Sequence, residues 1–110
     1  MKQYVIDQLR EEDHQKVLQF LGDHADKTAM EGIFWLDLPR DLYTPVQAEH
    51  TDCQPYYFAV SLDFGRAAFE LLVRSRQILR CGCIAYATPR QRDFLLQFAD
   101  HMLEQLGIRI

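Results

Sequence analysis

The sequence predicts an α+β domain: a mostly antiparallel sheet of about four to five strands, with two long helices packed on one face and one short helix. Three observations carry this reading. Tyr56, Phe58, Val60, Leu62 and Phe64 occupy every second position, the period of a strand with one face in a core. Residues 11–24 and 89–106 carry apolar side chains at helical spacing. The order strand, helix, strand, short helix, three strands, helix, with the three strands joined by short turns as a meander, describes an α+β domain. With 110 residues, the chain is sized for one core, so residues 1–110 are read as a single domain.

Taken in order, Tyr4 and Ile6 alternate with Val5 and Asp7, which suggests a short strand, although an early helix start would also fit. The first long helix follows from Glu11 to about His24. Glu11, Glu12 and Asp13 suit the positive end of its dipole, and Val17, Leu18, Phe20 and Leu21 form its apolar side. Gly32 to Leu38 contains four successive large apolar residues and reads as a strand buried on both faces, closed by Pro39. Thr44-Pro45-Val46-Gln47 then has the chemistry of a helix start: a Thr cap, Pro in the first turn, and a Gln able to bond back to the cap. Pro55 disfavours helix at Gln54, so this element ends near Asp52 or Cys53.

A hairpin follows, with Asp63-Phe64-Gly65-Arg66 as its turn and Phe69, Leu71 and Val73 alternating in its second strand. A third strand over Leu79 to Ala87 would complete a three-strand meander. The chain closes with a long helix. Thr88-Pro89-Arg90-Gln91 repeats the start signal, Phe94, Leu95, Phe98, Met102 and Leu106 mark one face, and Gly107 is placed to end it. The two Thr-Pro-x-Gln segments are read as independent helix starts, because their flanks do not align.

Apolar residues form 48% of the chain and charged residues 25%, a globular balance that argues against disorder. No apolar run approaches the roughly 20 residues of a membrane helix, and the N-terminal segment has no apolar signal core. A cytoplasmic protein without a membrane partner is therefore expected. A net charge of -4 argues against nucleic-acid binding by bulk electrostatics. The charge is uneven: residues 1–55 hold 5 basic and 11 acidic side chains, and residues 56–110 hold 7 and 5.

The chemistry-bearing residues are few. His50-Thr51-Asp52-Cys53 and Cys81-Gly82-Cys83 supply an HxxC and a CxC, together the ligand types of a Cys3His zinc site. In a meander the first and third strands are parallel and begin at the same end of the sheet, which would bring Cys53 near Cys81 and Cys83. Local geometry opposes this, since side chains two apart on a flat strand stand about 6.7 Å apart and two thiolates on one zinc about 3.8 Å. Gly82 would have to kink the strand. Buried, inert thiols are the competing reading. A thiol-dependent enzyme or redox factor using Cys53, with His50 as base, or the Cys81/Cys83 pair is the alternative function, but no motif supplies an oxyanion pocket or an orienting group.

The leading expectation is thus a small binding or interaction domain, more a non-enzyme than an enzyme, in which His50, Cys53, Cys81 and Cys83 either hold a structural metal, zinc by their ligand types, or are simply buried. Arg80, Arg90 and Arg92 surround the start of the last helix and suggest a contact for a small anion or an acidic protein partner, with pairing to Asp93 as the simpler role. A sheet covered on one face leaves Trp35 and the hairpin's outer residues in need of cover, so a homodimer is expected. His14, His24 and His101 read as surface residues, and Trp35 as core.

Overall fold

The computed structural model describes residues 2–109. Its elements are β1 (Gln3–Ile6), α1 (Glu11–His24), β2 (Asp26–Lys27), β3 (Ile33–Asp37), α2 (Pro45–Glu49), β4 (Tyr56–Asp63), β5 (Arg66–Glu70), β6 (Leu72–Ser75), β7 (Ala85–Tyr86) and α3 (Pro89–Leu106), with single 3-10 turns at Arg40–Leu42 and Thr51–Cys53. The α+β class and the helix packing follow the sequence reading. The strand count does not: the sheet has seven strands, and every pairing is antiparallel.

The central strand is β4, eight residues long, with β3 along one side and β5 followed by β6 along the other. From Val60↔Phe69 to Tyr57↔Arg74, β4 moves back three residues while the opposite chain advances five. Two extra residues are therefore taken up in a break around Leu71. Because the excess is even, Phe69 and Val73 keep facing the core, which is why the period-two pattern survives where the strand itself is split. Leu71 uses its backbone outside the β4 pairing: its N–H donates to Lys2 O at 3.0 Å and its carbonyl accepts from Ala87 N–H at 2.8 Å. That arrangement places β1 beside β5 and β7 beside β6.

The expected third strand from Leu79 to Ala87 shrinks to Ala85–Tyr86. Leu79 to Ile84 is loop, and Leu79 is largely exposed, so the short apolar run that suggested a strand gains no sheet partner. The remaining strand missing from the sequence reading is β2, whose Asp26 and Lys27 pair with Trp35 and Phe34. It has no apolar alternation to announce it.

The helices cover one sheet face. Phe58 of β4 stacks on Phe94 of α3 at 6.4 Å between centroids, Phe69 meets Phe98 at 6.5 Å, and Phe20 of α1 meets Phe98 at 5.8 Å. Gly107 closes α3 in the left-handed conformation (φ 68°), and Ile108 N–H returns to Leu103 O at 2.9 Å, a complete C-cap. On the other face Trp35 is half-buried instead of core, so β3 is not buried on both sides. Trp35 stacks on Tyr57 at 4.1 Å, and the Arg76 guanidinium lies over both rings while bonding to Asp26 and Asp37. Much of the aromatic surface on the open face is thereby covered from within the chain.

Gly32 has φ +80°, and a Cβ there would stand 2.6 Å from Leu62 O. Gly32→Ala combines a backbone penalty with a clash against an immobile carbonyl, and should lower unfolding free energy by about 2 kcal/mol or more in urea titrations.

Candidate metal centre

Four side chains predicted as ligands converge at the end of the sheet where β4 begins and β6 ends. The ligand atoms of His50, Cys53, Cys81 and Cys83 all lie within 4.8 Å of one another. All three cysteines are free thiols.

Each half is held by local hydrogen bonding. The capping box of α2 forms as the sequence implied: Thr44 Oγ1 accepts from Gln47 N–H at 3.2 Å, and Gln47 Oε1 accepts from Thr44 N–H at 3.0 Å. His50 closes this helix through its N–H to Val46 O, then opens the 3-10 turn in which Cys53 N–H donates to His50 O at 3.0 Å. Three residues of tight turn set the imidazole and the Cys53 thiol on one side. The other half is not a kinked strand. Ile84 N–H donates to Cys81 O at 3.1 Å, so Cys81-Gly82-Cys83-Ile84 is a β-turn. A turn brings side chains two apart closer than a strand can, which removes the geometric objection.

Gly82 is not what makes that turn possible. Its φ is not positive, and a Cβ on it would meet nothing within 4 Å. Gly82→Ala should therefore change stability by less than about 0.5 kcal/mol and leave metal uptake unaltered by elemental analysis.

Two polar side chains brace the halves. The Ser75 hydroxyl donates to Cys53 O and accepts from Gln77 N–H and Ile78 N–H at 3.1 and 3.0 Å, tying the start of the cysteine loop to the Cys53 turn. Gln47 Nε2 reaches Cys83 O at 3.5 Å, and Tyr56 OH donates to Gln47 O at 3.0 Å. Tyr56 and Tyr57 point to opposite faces as alternation required, and only Tyr56 is at the site. Ser75 carried no signal in the sequence. Gln47 was visible as a cap but not as a brace.

The thiols differ sharply in environment. Cys53 and Cys83 are each 2% exposed, whereas Cys81 is half-buried. The Cys83 backbone N–H, followed by the Cys83 thiol and His50, stabilises the Cys81 thiolate, and its pKa falls to about 6 despite burial. His50 Nδ1 stands 3.1 Å from Cys81 Sγ. Burial and the neighbouring thiols push Cys53 up to about 12, and burial likewise raises Tyr56. In the metal-free protein Cys81 should therefore alkylate with an apparent pKa near 6, while Cys53 stays unreactive until the chain unfolds. Iodoacetamide labelling across pH 5–9, read by peptide mass spectrometry, checks both.

The arginines expected to hold an anion are all exposed, and among the described residues none of Arg80, Arg90 and Arg92 forms an ion pair, with Asp93 or otherwise. At the α3 start, Pro89 has no N–H, Gln91 N–H goes to Thr88 Oγ1 and Arg92 N–H to Thr88 O. Among the described residues of that turn, the Arg90 N–H alone stays without a backbone or capping partner.

A carboxylate-poor, thiol-rich tetrad of this kind can bind one soft or borderline ion. Around a tetrahedral zinc, thiolate sulfurs stand about 3.8 Å apart, so a set already gathered within 4.8 Å needs sub-ångström to ångström adjustment. No protein-family model matches this chain, and no curated protein or solved structure matches it significantly, so the chemistry of the tetrad is read from its own residues.

Proposed function

We propose that the chain is a small binding module in which His50, Cys53, Cys81 and Cys83 hold one structural zinc ion. The observation that carries this reading is the convergence of four ligand atoms, from two separate loops, to within 4.8 Å. Three thiolates and an imidazole are a familiar zinc donor set, and four protein ligands fill a tetrahedral shell and leave no place for substrate or activated water. That is the coordination of a structural ion. The Cys81 thiolate is preformed near neutral pH, while loading must displace the proton of Cys53. Zinc affinity accordingly falls as pH is lowered. Elemental analysis of protein purified without chelator, followed by cobalt substitution, tests the proposal: one equivalent of metal and the intense visible bands of tetrahedral thiolate-bound cobalt are expected. Protein that carries no metal and yields no such spectrum would refute it.

A second reading is favoured by one observation, the half-exposed Cys81 beside His50. Here Cys81, not Cys53, is the reactive thiol of a thiol-dependent factor, because Cys53 is buried with its pKa raised. Rapid alkylation of Cys81 that zinc fails to suppress supports this reading over the first. A cytoplasmic location belongs to the same proposal, since thiols available as metal ligands suit a reducing compartment. Association as a homodimer through the open sheet face, and an anion or acidic-partner contact at Arg80, Arg90 and Arg92, belong to the same proposal. Light scattering across micromolar to millimolar concentrations and phosphate titration of Arg90→Ala and Arg92→Ala variants test them.

A further inference from the structure

The β4–β5 turn is anchored through its backbone, with Gly65 N–H donating to His14 Nδ1 at 3.2 Å and Gly65 O accepting from Leu9 N–H at 2.9 Å, whereas its Phe64 ring packs on nothing within the chain. Phe64 (φ 44°) and Gly65 (φ 77°) are both left-handed, the arrangement of a tight hairpin turn whose first position favours Asn, Asp or Gly. A bulky residue is strained there, and Phe64 is also 100% exposed, so its ring gains no burial within the chain. The adjacent hairpin between β2 and β3 ends in Met30, 69% exposed. Leu62 N–H donates to Gly32 O at 2.8 Å, which fixes this second tip beside the first.

Two open depressions of about 620 and 650 Å³ run between these tips and α1, and share Leu18, Glu31 and Gly32 in their walls. They adjoin at these shared residues and are taken together as one groove. Its apolar floor includes Leu9, Leu18, Ile33 and Leu62, and its rim carries Glu11, Asp23, Glu31 and Asp63 against a single cation, Lys27. Among the described residues none of these four carboxylates is in an ion pair.

We propose that this groove docks a basic amphipathic helical segment of a partner protein, with Phe64 and Met30 as apolar anchors and the rim carboxylates facing the partner's Lys and Arg side chains. Charge decides among occupants. A second copy in a twofold contact would set the same carboxylates against one another, and an anionic membrane or a nucleic acid would be repelled by them. An amphipathic helix with apolar residues at i, i+3, i+4 and i+7 satisfies the floor and the rim together. The groove lies at the opposite end of β4 from the cysteines, so the inference does not depend on metal.

The test is an NMR titration of the zinc-supplemented, ¹⁵N-labelled full chain with a synthetic Leu/Lys amphipathic helical peptide. Its controls are the same peptide with Leu replaced by Ser, the same peptide with Lys replaced by Glu, and phosphatidylserine vesicles. Shifts confined to residues around Leu18, Met30, Glu31 and Phe64 are expected, with neither control peptide binding. Phe64→Asn suits the left-handed turn and should melt no lower than the wild type, yet weaken the peptide at least tenfold. Glu31→Gln should weaken it severalfold and flatten its salt dependence. Undiminished binding by Phe64→Asn, equal binding of the Ser-substituted peptide, shifts scattered over the surface, or engagement of vesicles without peptide would each overturn the proposal.

Discussion

Stripping the metal should lower the melting temperature by about 15 °C while leaving most of the helical circular dichroism in place. The size follows from linkage. An ion present at about a thousandfold excess over its Kd stabilises the folded state by about 4 kcal/mol, and a domain of this length moves by roughly 4 °C for each kcal/mol. The persistence of secondary structure follows from where the core lies. Phe58, Val60, Phe69 and Leu95 are fully buried between the sheet and the long helices, and none needs the metal to be so. What a bound ion would tie down is the loop from Arg76 to Ile84 and the turn from His50 to Pro55, which are joined otherwise by Ser75, Gln47 and the Arg76 N–H to Pro55 O bond. Hydrogen exchange should therefore quicken in these two segments and stay slow in α3. Cys83→Ser should reproduce the chelated melting curve, since it removes a ligand without removing much volume. An unchanged curve after verified removal of bound metal would place the fold's stability elsewhere.

The gathering of His50, Cys53, Cys81 and Cys83 was legible in the sequence because HxxC and CxC are local patterns, and the pairing of β4 with β6 brings their flanking loops to one end of the sheet. What the sequence concealed was the backbone that makes them compatible. The run through Cys81, Ile84 and Ala87 looks extended in composition, yet its backbone bonds within a turn because β6 offers a partner to only Ala85 and Tyr86. The break at Leu71 was hidden for a different reason: an insertion of two residues restores the alternation after it, so side-chain pattern alone cannot reveal it. Trp35 misled through its hydrophobicity. Its neighbours Phe34 and Leu36 face the core, and the ring itself is satisfied on the outside by Tyr57 and Arg76, a covering that depends on an arginine 41 positions away. Both long helices, by contrast, announce themselves through local signals, the Thr88–Gln91 box and Gly107 for α3 and the apolar spacing for α1, and they appear where those signals put them.

Gln91→Ala should cost about 3 kcal/mol, more than loss of a helix cap alone, which is worth about 1 kcal/mol. The two Thr-Pro-x-Gln segments are independent helix starts locally, but the structure joins them: Gln91 Nε2 donates to Gln47 Oε1 and to Leu42 O, each at 2.9 Å. Gln91 Oε1 accepts from Thr88 N–H at 3.1 Å, and Gln47 continues the chain of bonds to Cys83 O. Both glutamines are almost wholly buried, at 1% and 2% exposure. A capping box accepts Glu as readily as Gln at this position, but here two carboxylates would meet with no donor between them, so the amide is required at both. Gln91→Ala leaves the Leu42 carbonyl without its side-chain donor and opens a cavity beside Gln47, and each buried group that loses its partner costs about 1–3 kcal/mol. Gln91→Glu should be at least as damaging near neutral pH and should recover partly as pH falls, because a protonated carboxyl regains one donor. Urea denaturation of Gln47→Ala, Gln91→Ala and the double variant measures the coupling: a sub-additive double variant, by about 1 kcal/mol or more, is expected of side chains sharing one network. Metal affinity should fall in all three, since the Cys83 turn loses its brace from behind. Additive costs with unaltered metal affinity would reduce the pair to two separate caps.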